Sequence, residues 1–359
     1  MRIDRPSRNT HSAFIFHKLC VAVPALLLFI SSTGHAWDYE GHRWVNQLAL
    51  ASLPTNFPAF VRTPEAQERI AFLAGEADRW RNTADLTLKH FNSPDHYMDL
   101  DELPDFGLSV TNLTKFRYEF IGQLAAARAL HPSKHPEPDP AQNADRSRGL
   151  VGLLPWTLTE YYSKLKSGFS YLKAFEQAGG TPEEIANAQQ NIIYIMGVMG
   201  HFAGDAVQPL HTTKHFNGWI GDNPKNYSTK KSFHSWVDGG FINKSKMTLG
   251  DMPSRVKPAR VIGVPDARTK EVEMFPEIMA FLWEQHQLVE PLYALDRDGK
   301  LTPENESSIE GRKFIEKQLL KGGHFLGSLW LSAWQQAGPD TYLIGKLNHR
   351  KASGNSSGN

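Results

Sequence analysis

Apolar residues recur along this chain at helical spacing, and strand-like alternation is scarce. Val45, Leu48 and Ala49 mark a first amphipathic helix, and Ile70, Leu73, Ala77 and Trp80 a second. Phe116, Phe120, Leu124 and Ala127 fall at i, i+4, i+8 and i+11, which puts them on one helical face. Leu158, Tyr161, Leu165, Phe169 and Leu172 give a fourth stripe. The fifth carries its own start signal. Thr181-Pro182-Glu183-Glu184 is a capping box with proline at the first helical position, and the pattern runs past Ile192 to Asp205 before Pro209 stops it. Helix-like segments follow around 278–288 and 309–334. Between them, 131–148 is rich in proline and charge, and 216–232 is rich in Gly, Asn and Lys. Both read as loops, and 351–359 reads as a disordered tail. With no internal repeat and no composition break, the pattern predicts an all-α fold, a single mostly helical domain over 37–350.

The N-terminus changes that picture. Arg2, Arg5, Arg8 and Lys18 precede an apolar run from Cys20 to Ile30, and Gly34-His35-Ala36 closes the segment. A charged region, a short apolar region and a small-x-small site predict a secretory signal peptide, residues 1–36, cut after Ala36. The run is shorter than the about 20 residues that span a bilayer. A retained anchor is the alternative, but Pro24 interrupts the run and the Ala36-Trp37 junction reads as cleavable. The expectation is a secreted or periplasmic protein with no stable membrane anchor. Cleavage removes four cations and one acid, Asp4, so the formal charge moves from +1 to slightly negative. No global basic field then attracts polyanions, which must be held locally. It also removes Cys20, the only cysteine, so thiol chemistry and disulfides are excluded from the mature chain.

Fifteen histidines invite a search by spacing. In His201-Phe-Ala-Gly-Asp205-Ala-Val-Gln-Pro-Leu-His211, His201 and Asp205 are one helical turn apart, and His211 follows just past the Pro209 break. A second i, i+4 pair, His234 and Asp238, lies in Phe233-His-Ser-Trp-Val-Asp238. A single His-Asp pair is commonly a helix-surface contact. Two pairs and a third histidine, with Met196, Val198, Met199 and Phe202 making the first helix apolar, point to buried polar groups that need a partner or a metal. Imidazole nitrogen and carboxylate oxygen are ordinary zinc ligands.

These motifs resemble the signature of the fungal and plant zinc nucleases that attack single strands, a superfamily shared with bacterial zinc phospholipases C. Trp37-Asp-Tyr-Glu-Gly-His42 matches the mature start, Gly75-Glu-Ala-Asp78-Arg-Trp-Arg81 the Ala-Asp-x-x-Arg element, and His96-Tyr-Met-Asp99 the His-Phe-Ile-Asp element. His201, Asp205 and His211 match the central His-x3-Asp-x5-His, and His234 with Asp238 the final pair. The ordered set spans Trp37 to Asp238. Its least secure member is His96, because His90 competes for the same position.

The resemblance implies a helical fold with a trinuclear zinc cluster at the base of a cleft. One zinc would take Asp78, His96, His201 and Asp205, a second His211, His234 and Asp238. The third would take the Trp37 amine and carbonyl, His42 and again Asp205, as a bridge. It implies a metal-activated hydroxide as nucleophile on phosphorus. Catalytic roles fall to Asp78, Asp205 and Asp99, the last (or Asp101) orienting the water or a histidine. Departures bear on substrate. Gly221-Asp222-Asn223 and Ser232-Phe233-His234 keep only parts of two nuclease elements, while Asp238 is as in nucleases where the lipases have Glu. Asn223, Trp219 and Tyr227 are candidate substrate contacts, with Phe216 and Trp236 as further aromatic faces. The expected activity is hydrolysis of single-stranded DNA or RNA. The alternatives are a phospholipase C acting on phosphatidylcholine-like lipids and a non-catalytic periplasmic zinc-binding protein. No obligate protein partner is implied.

Overall fold

The computed structural model describes residues 38–269 and 271–356. The signal-peptide expectation, Trp37, and the last three residues of the expected tail lie outside the described residues. Helix α1 (Tyr39–Ser52) starts at Asp38, whose carboxylate accepts the Glu40 amide. Thr63 caps α2 (Pro64–Leu73) in the same way, accepting from Ala66. The second predicted helix breaks at Ala74-Gly75 before resuming as α3 (Glu76–Arg81). Gly75 is needed there, because a Cβ would lie 2.8 Å from the Tyr39 ring. After α4 (Leu86–Asn92), a 3₁₀ turn at Ser93–His96 and α5 (Arg117–Leu130) come two long helices, α6 (Leu154–Ala178) and α7 (Pro182–Val207).

The capping box of α7 forms in full, with Thr181 and Glu184 each accepting the other's backbone amide. Every residue of α7 from Met196 to Val207 is buried. A helix hydrophobic all round belongs at the centre of a domain, and α7 is packed by α1, α2, α6 and α13. Gly200 permits the approach of α1: a Cβ there would lie 1.5 Å from Asn46 Oδ1. The Asn46 amide nitrogen donates to the carbonyls of Ile70 and Gly197, joining α1, α2 and α7.

Beyond α7, a 3₁₀ turn at Pro209–Thr212 precedes α8 (Phe233–Ser235), a π-helical turn (Trp236–Gly240), α9 (Phe241–Lys244) and α10 (Met252–Arg255). Then come α11 (Phe275–His286), α12 (Val289–Arg297), α13 (Ser308–Gln336) and α14 (Thr341–Ser356). Among the described residues the strands are β1 (Val264–Pro265) and β2 (Val272–Glu273), an antiparallel pair. The stretch leading into it is strapped along α13, whose Ser328 and Ser332 hydroxyls accept the amides of Arg260 and Ile262. The fold is all-α, and the described residues fall in one compact unit. None of their helices is long and apolar enough to cross a membrane.

The tail departs from expectation. Helix α14 runs on through Ser356 rather than becoming disordered at 351. It packs on α6, and Arg350 holds it to the start of α7 with a two-pronged bond to Glu184 (2.8 and 3.0 Å). Composition describes the polar residues correctly but not the anchor just before them.

Candidate metal centre

Helix α7 carries His201 and Asp205 at the bottom of the centre, on adjacent turns of one face and fully buried. The orientation of His201 is set by the break between α2 and α3. A helix end leaves carbonyls without intrahelical partners, and His201 Nδ1 donates to the one on Ala74 at 2.7 Å. Its proton is therefore on Nδ1, and Nε2 faces the centre as a lone pair. His42, from the first turn of α1, stacks on His201 with ring centroids 3.9 Å apart and an interplanar angle of 17°. Gly204 makes room for it, since a Cβ there would lie 2.4 Å from His42 Nδ1.

The Ser93–His96 turn brings in His96, whose Nδ1 is 2.9 Å from Asp205 Oδ2 and 3.0 Å from His201 Nε2. His96, not His90, joins the cluster: His90 is exposed and its Nδ1 lies 2.7 Å from the Asp145 carbonyl. Asp78, on α3, places Oδ1 3.8 Å from His201 Nε2 and 4.0 Å from His96 Nδ1, while accepting from Arg81 at 2.6 Å. On the other side, His211 Nδ1 donates to the His96 carbonyl, so its Nε2 is the free lone pair. That atom is 3.0 Å from His234 Nε2, which lies 3.0 Å from Asp238 Oδ2. Asp205 sits between the two sides. Its Oδ1 is 3.6 Å from both His42 Nε2 and His211 Nδ1, and its Oδ2 turns to His96 and His201.

The donor atoms form three groups, each within 4.8 Å: His42, His201 and Asp205; Asp78, His96 and His201; His211, His234 and Asp238. The groups coincide with those the resemblance implies, except that His201 joins His42 and Asp205, and Asp205 is absent from the Asp78–His96–His201 group; Trp37 lies outside the described residues. Zinc with bonds of about 2.0–2.1 Å in tetrahedral array sets its donors about 3.3 Å apart. The separations of 2.9–3.4 Å among His96, His201 and Asp205, and of 3.0 Å within the His211–His234–Asp238 group, fit that edge. His42 Nε2 and Asp205 Oδ1, 3.6 Å apart, are both buried without a hydrogen-bond partner. Such orphans cost about 1–3 kcal/mol each, which a cation coordinated by both removes. The residues present fit a metal.

Burial dominates the electrostatics. It pushes the His42, His96 and His211 imidazoles well below their usual range, and so toward the neutral form that ligates metal. It pushes the Asp205 and Asp238 carboxyls well above theirs, with Asp78 adding to the rise at Asp205.

Two supporting features were not legible in the sequence. Gln208 is fully buried; its amide donates to Asp238 Oδ1 at 2.5 Å and its carbonyl oxygen accepts the Leu210 amide at 2.8 Å. It thus ties the last ligand pair to the turn carrying His211, and its place in Val207-Gln208-Pro209 was the available signal. The His234–Asp238 pair spans a π turn rather than an α-helix. Gly239 lets Asp38 approach it, a Cβ there lying 2.5 Å from Asp38 Oδ2, and the Asp38 amide donates to the Asp238 carbonyl at 3.2 Å.

The remaining candidates lie around this core. Asp99 is buried, its carboxyl pushed well above the usual range by burial and then by Glu102 and Asp101, and its Oδ1 has no hydrogen-bond partner. Asp101 accepts from the Thr213 hydroxyl and the Lys214 amide, bracing the chain just past His211. The Asn223 side chain closes its own loop, donating to the Tyr227 carbonyl and accepting the Tyr227 amide, both at 2.8 Å. Tyr227 is buried and packs with Trp219 against Tyr293; Trp219 also stacks on His215 at 4.0 Å. Trp236 donates to the Leu301 carbonyl. Phe216 keeps an exposed face, 40%, with its ring edge-on to His234 at 5.9 Å. No protein-family model matches the chain, and no curated protein does. The resemblance rests on the ordered ligand motifs.

Proposed function

We propose that the chain is a secreted or periplasmic zinc-dependent phosphodiesterase that hydrolyses single-stranded nucleic acid. The observation that carries this reading is the convergence of His42, Asp78, His96, His201, Asp205, His211, His234 and Asp238 in one buried cluster. Zinc held there supplies a water of pKa about 7 and positive charge for a phosphate, at a site with no lysine or arginine among its donors. Asp205 addresses both sides of the cluster and is suited to bridge. Burial biases the His42, His96 and His211 imidazoles toward the neutral form, and carbonyls aim two rings, His201 by Ala74 and His211 by His96. Arg81 donates to Asp78 at 2.6 Å and is a fixed cation beside the cluster for a phosphate oxygen. Phe216 offers an aromatic face on which a base can stack beside His234.

The second reading is a phospholipase C, favoured by the leucines that α4 exposes beside the elements carrying Asp78 and His96. A single assay separates them: purified protein with single-stranded DNA, with RNA and with phosphatidylcholine, each before and after a chelator and after zinc is restored. Chelator-sensitive release of nucleotides supports the first reading. Cleavage of phosphatidylcholine alone replaces it with the second, and retained zinc with no hydrolysis leaves a zinc-binding protein.

A further inference from the structure

Helix α4 buries none of its residues, yet it is packed directly against α3 and the Ser93–His96 turn, the elements that carry Asp78 and His96. Its apolar side chains face solvent: Phe91 is 66% exposed, Leu86 50% and Leu88 37%. Exposed large apolar groups clustered on one short element mark an interaction surface rather than a core. The helix is nonetheless firmly placed. Asp85 caps it, accepting the amides of Thr87 and Leu88, and His90 and Ser93 bind the carbonyl and carboxylate of Asp145 in the 131–148 loop.

The charges around this knob are sorted. The acids are turned to internal work: Glu76 pairs with Arg79, Asp85 holds helix amides, and Asp145 holds Ser93 and the Ser147 amide. The cations point outward. Arg79, though paired with Glu76, has a side chain 70% exposed, and Arg146 and Arg148, which follow Asp145, are exposed as well. Lys89, half-buried on α4, adds a fourth cation near Asp145. Aliphatic and aromatic tips ringed by guanidinium and ammonium groups match the layering of a phospholipid surface, acyl chains beneath phosphates. A nucleic acid strand would use the cations but not Leu86 or Leu88, which have no face on which a base can stack.

We propose that α4 is a docking knob for a phospholipid bilayer, which holds the mature protein at a membrane surface with its metal centre beside the headgroup layer. The proposal does not rest on the nucleic-acid reading. It concerns what holds the protein, whichever phosphodiester the centre cleaves.

The chain from residue 37 onward has no cysteine, so a single engineered thiol can be labelled. An environment-sensitive dye is placed on Phe91→Cys and, as control, on Tyr342→Cys in α14, where the native side chain is 72% exposed. Each protein is mixed with phosphatidylcholine vesicles, with vesicles carrying about a quarter phosphatidylglycerol, and with a single-stranded oligonucleotide. The expected result is a blue-shifted emission at position 91 with vesicles, larger with the anionic lipid, and none at 342. The double variant Leu88→Ser/Phe91→Ser should sediment with vesicles about tenfold less or weaker still, with an unchanged melting temperature. Equal shifts at both positions, no shift with vesicles, or a shift only with the oligonucleotide would overturn the docking role. If the double variant is destabilised, the paired labels still decide.

Discussion

The imidazoles of His42 and His201 lie nearly parallel, 3.9 Å apart and both buried. Burial, and then the neighbouring His201, disfavours the charged form of His42. The stack exists because residue 204 is glycine. Gly204→Ala puts a methyl group 2.4 Å from His42 Nδ1, and this crowding should cost about 1–3 kcal/mol of stability. His42 should be displaced from the cluster. Metal content by mass spectrometry and a thermal melt check this; a variant with wild-type zinc and melting temperature would show that His42 is not held by that contact.

Asp205 and Asp78 both face His96 and His201, and Asp205 also lies 3.6 Å from His42 and from His211. Replacing each by its amide keeps shape and removes charge. Asp205→Asn should lower the hydrolysis rate by about a hundredfold and Asp78→Asn by about tenfold, with the larger zinc loss in the first. Equal zinc in wild type and Asp205→Asn would remove the bridging role.

The Arg350–Glu184 bond gives a pH prediction away from the metal. Arg350, then the Thr181 amide, lowers the Glu184 carboxyl to about 2. A depressed carboxyl contributes stability that is present above its unfolded pKa, about 4.5, and is lost as the pH falls through about 2. The group is exposed, so the effect is small and salt-sensitive. Arg350→Ala should melt below wild type at neutral pH, and the gap should close between pH 4.5 and about 2. A gap that stays constant across that window would assign the loss to packing of α14 alone.

How much of this was readable depends on whether the signal was local. His201 and Asp205 could be paired from spacing, because one helix sets their distance, and Thr181 announced the start of that helix. The bracing by Gln208 and the break at Ala74 that aims His201 depend on chain segments far apart in sequence. Within the π turn that carries Asp238, Gly239 leaves room for Asp38, which comes from the far end of the sequence. The exposure of α4 was hidden for the opposite reason: its leucines and phenylalanine look like core material until the structure shows nothing among the described residues covering them.

The N-terminal expectation can be tested directly. The Asp38 amide donates to the Asp238 carbonyl, so the chain is tied beside the last ligand pair one residue after the proposed cleavage point. A free amine at Trp37 is a ligand, whereas an amide nitrogen has its lone pair delocalised. Protein beginning at Trp37 should hold one zinc more than protein with a single extra residue before it. Full zinc content and rate in the extended form would rule out a terminal ligand.

The donors of the centre come from α1, α3, the Ser93–His96 turn, α7, the Pro209–Thr212 turn and the segment around Asp238. Cations shared among them would therefore act as cross-links closing loops that run from residue 42 to residue 238, in a chain with no cysteine from residue 37 onward to form disulfides. Chelation would then open a knot as well as stop a reaction. The metal-free protein should be cut by proteases in its N-terminal half while the α6–α13 packing still stands. Survival and activity would then depend on the same ions.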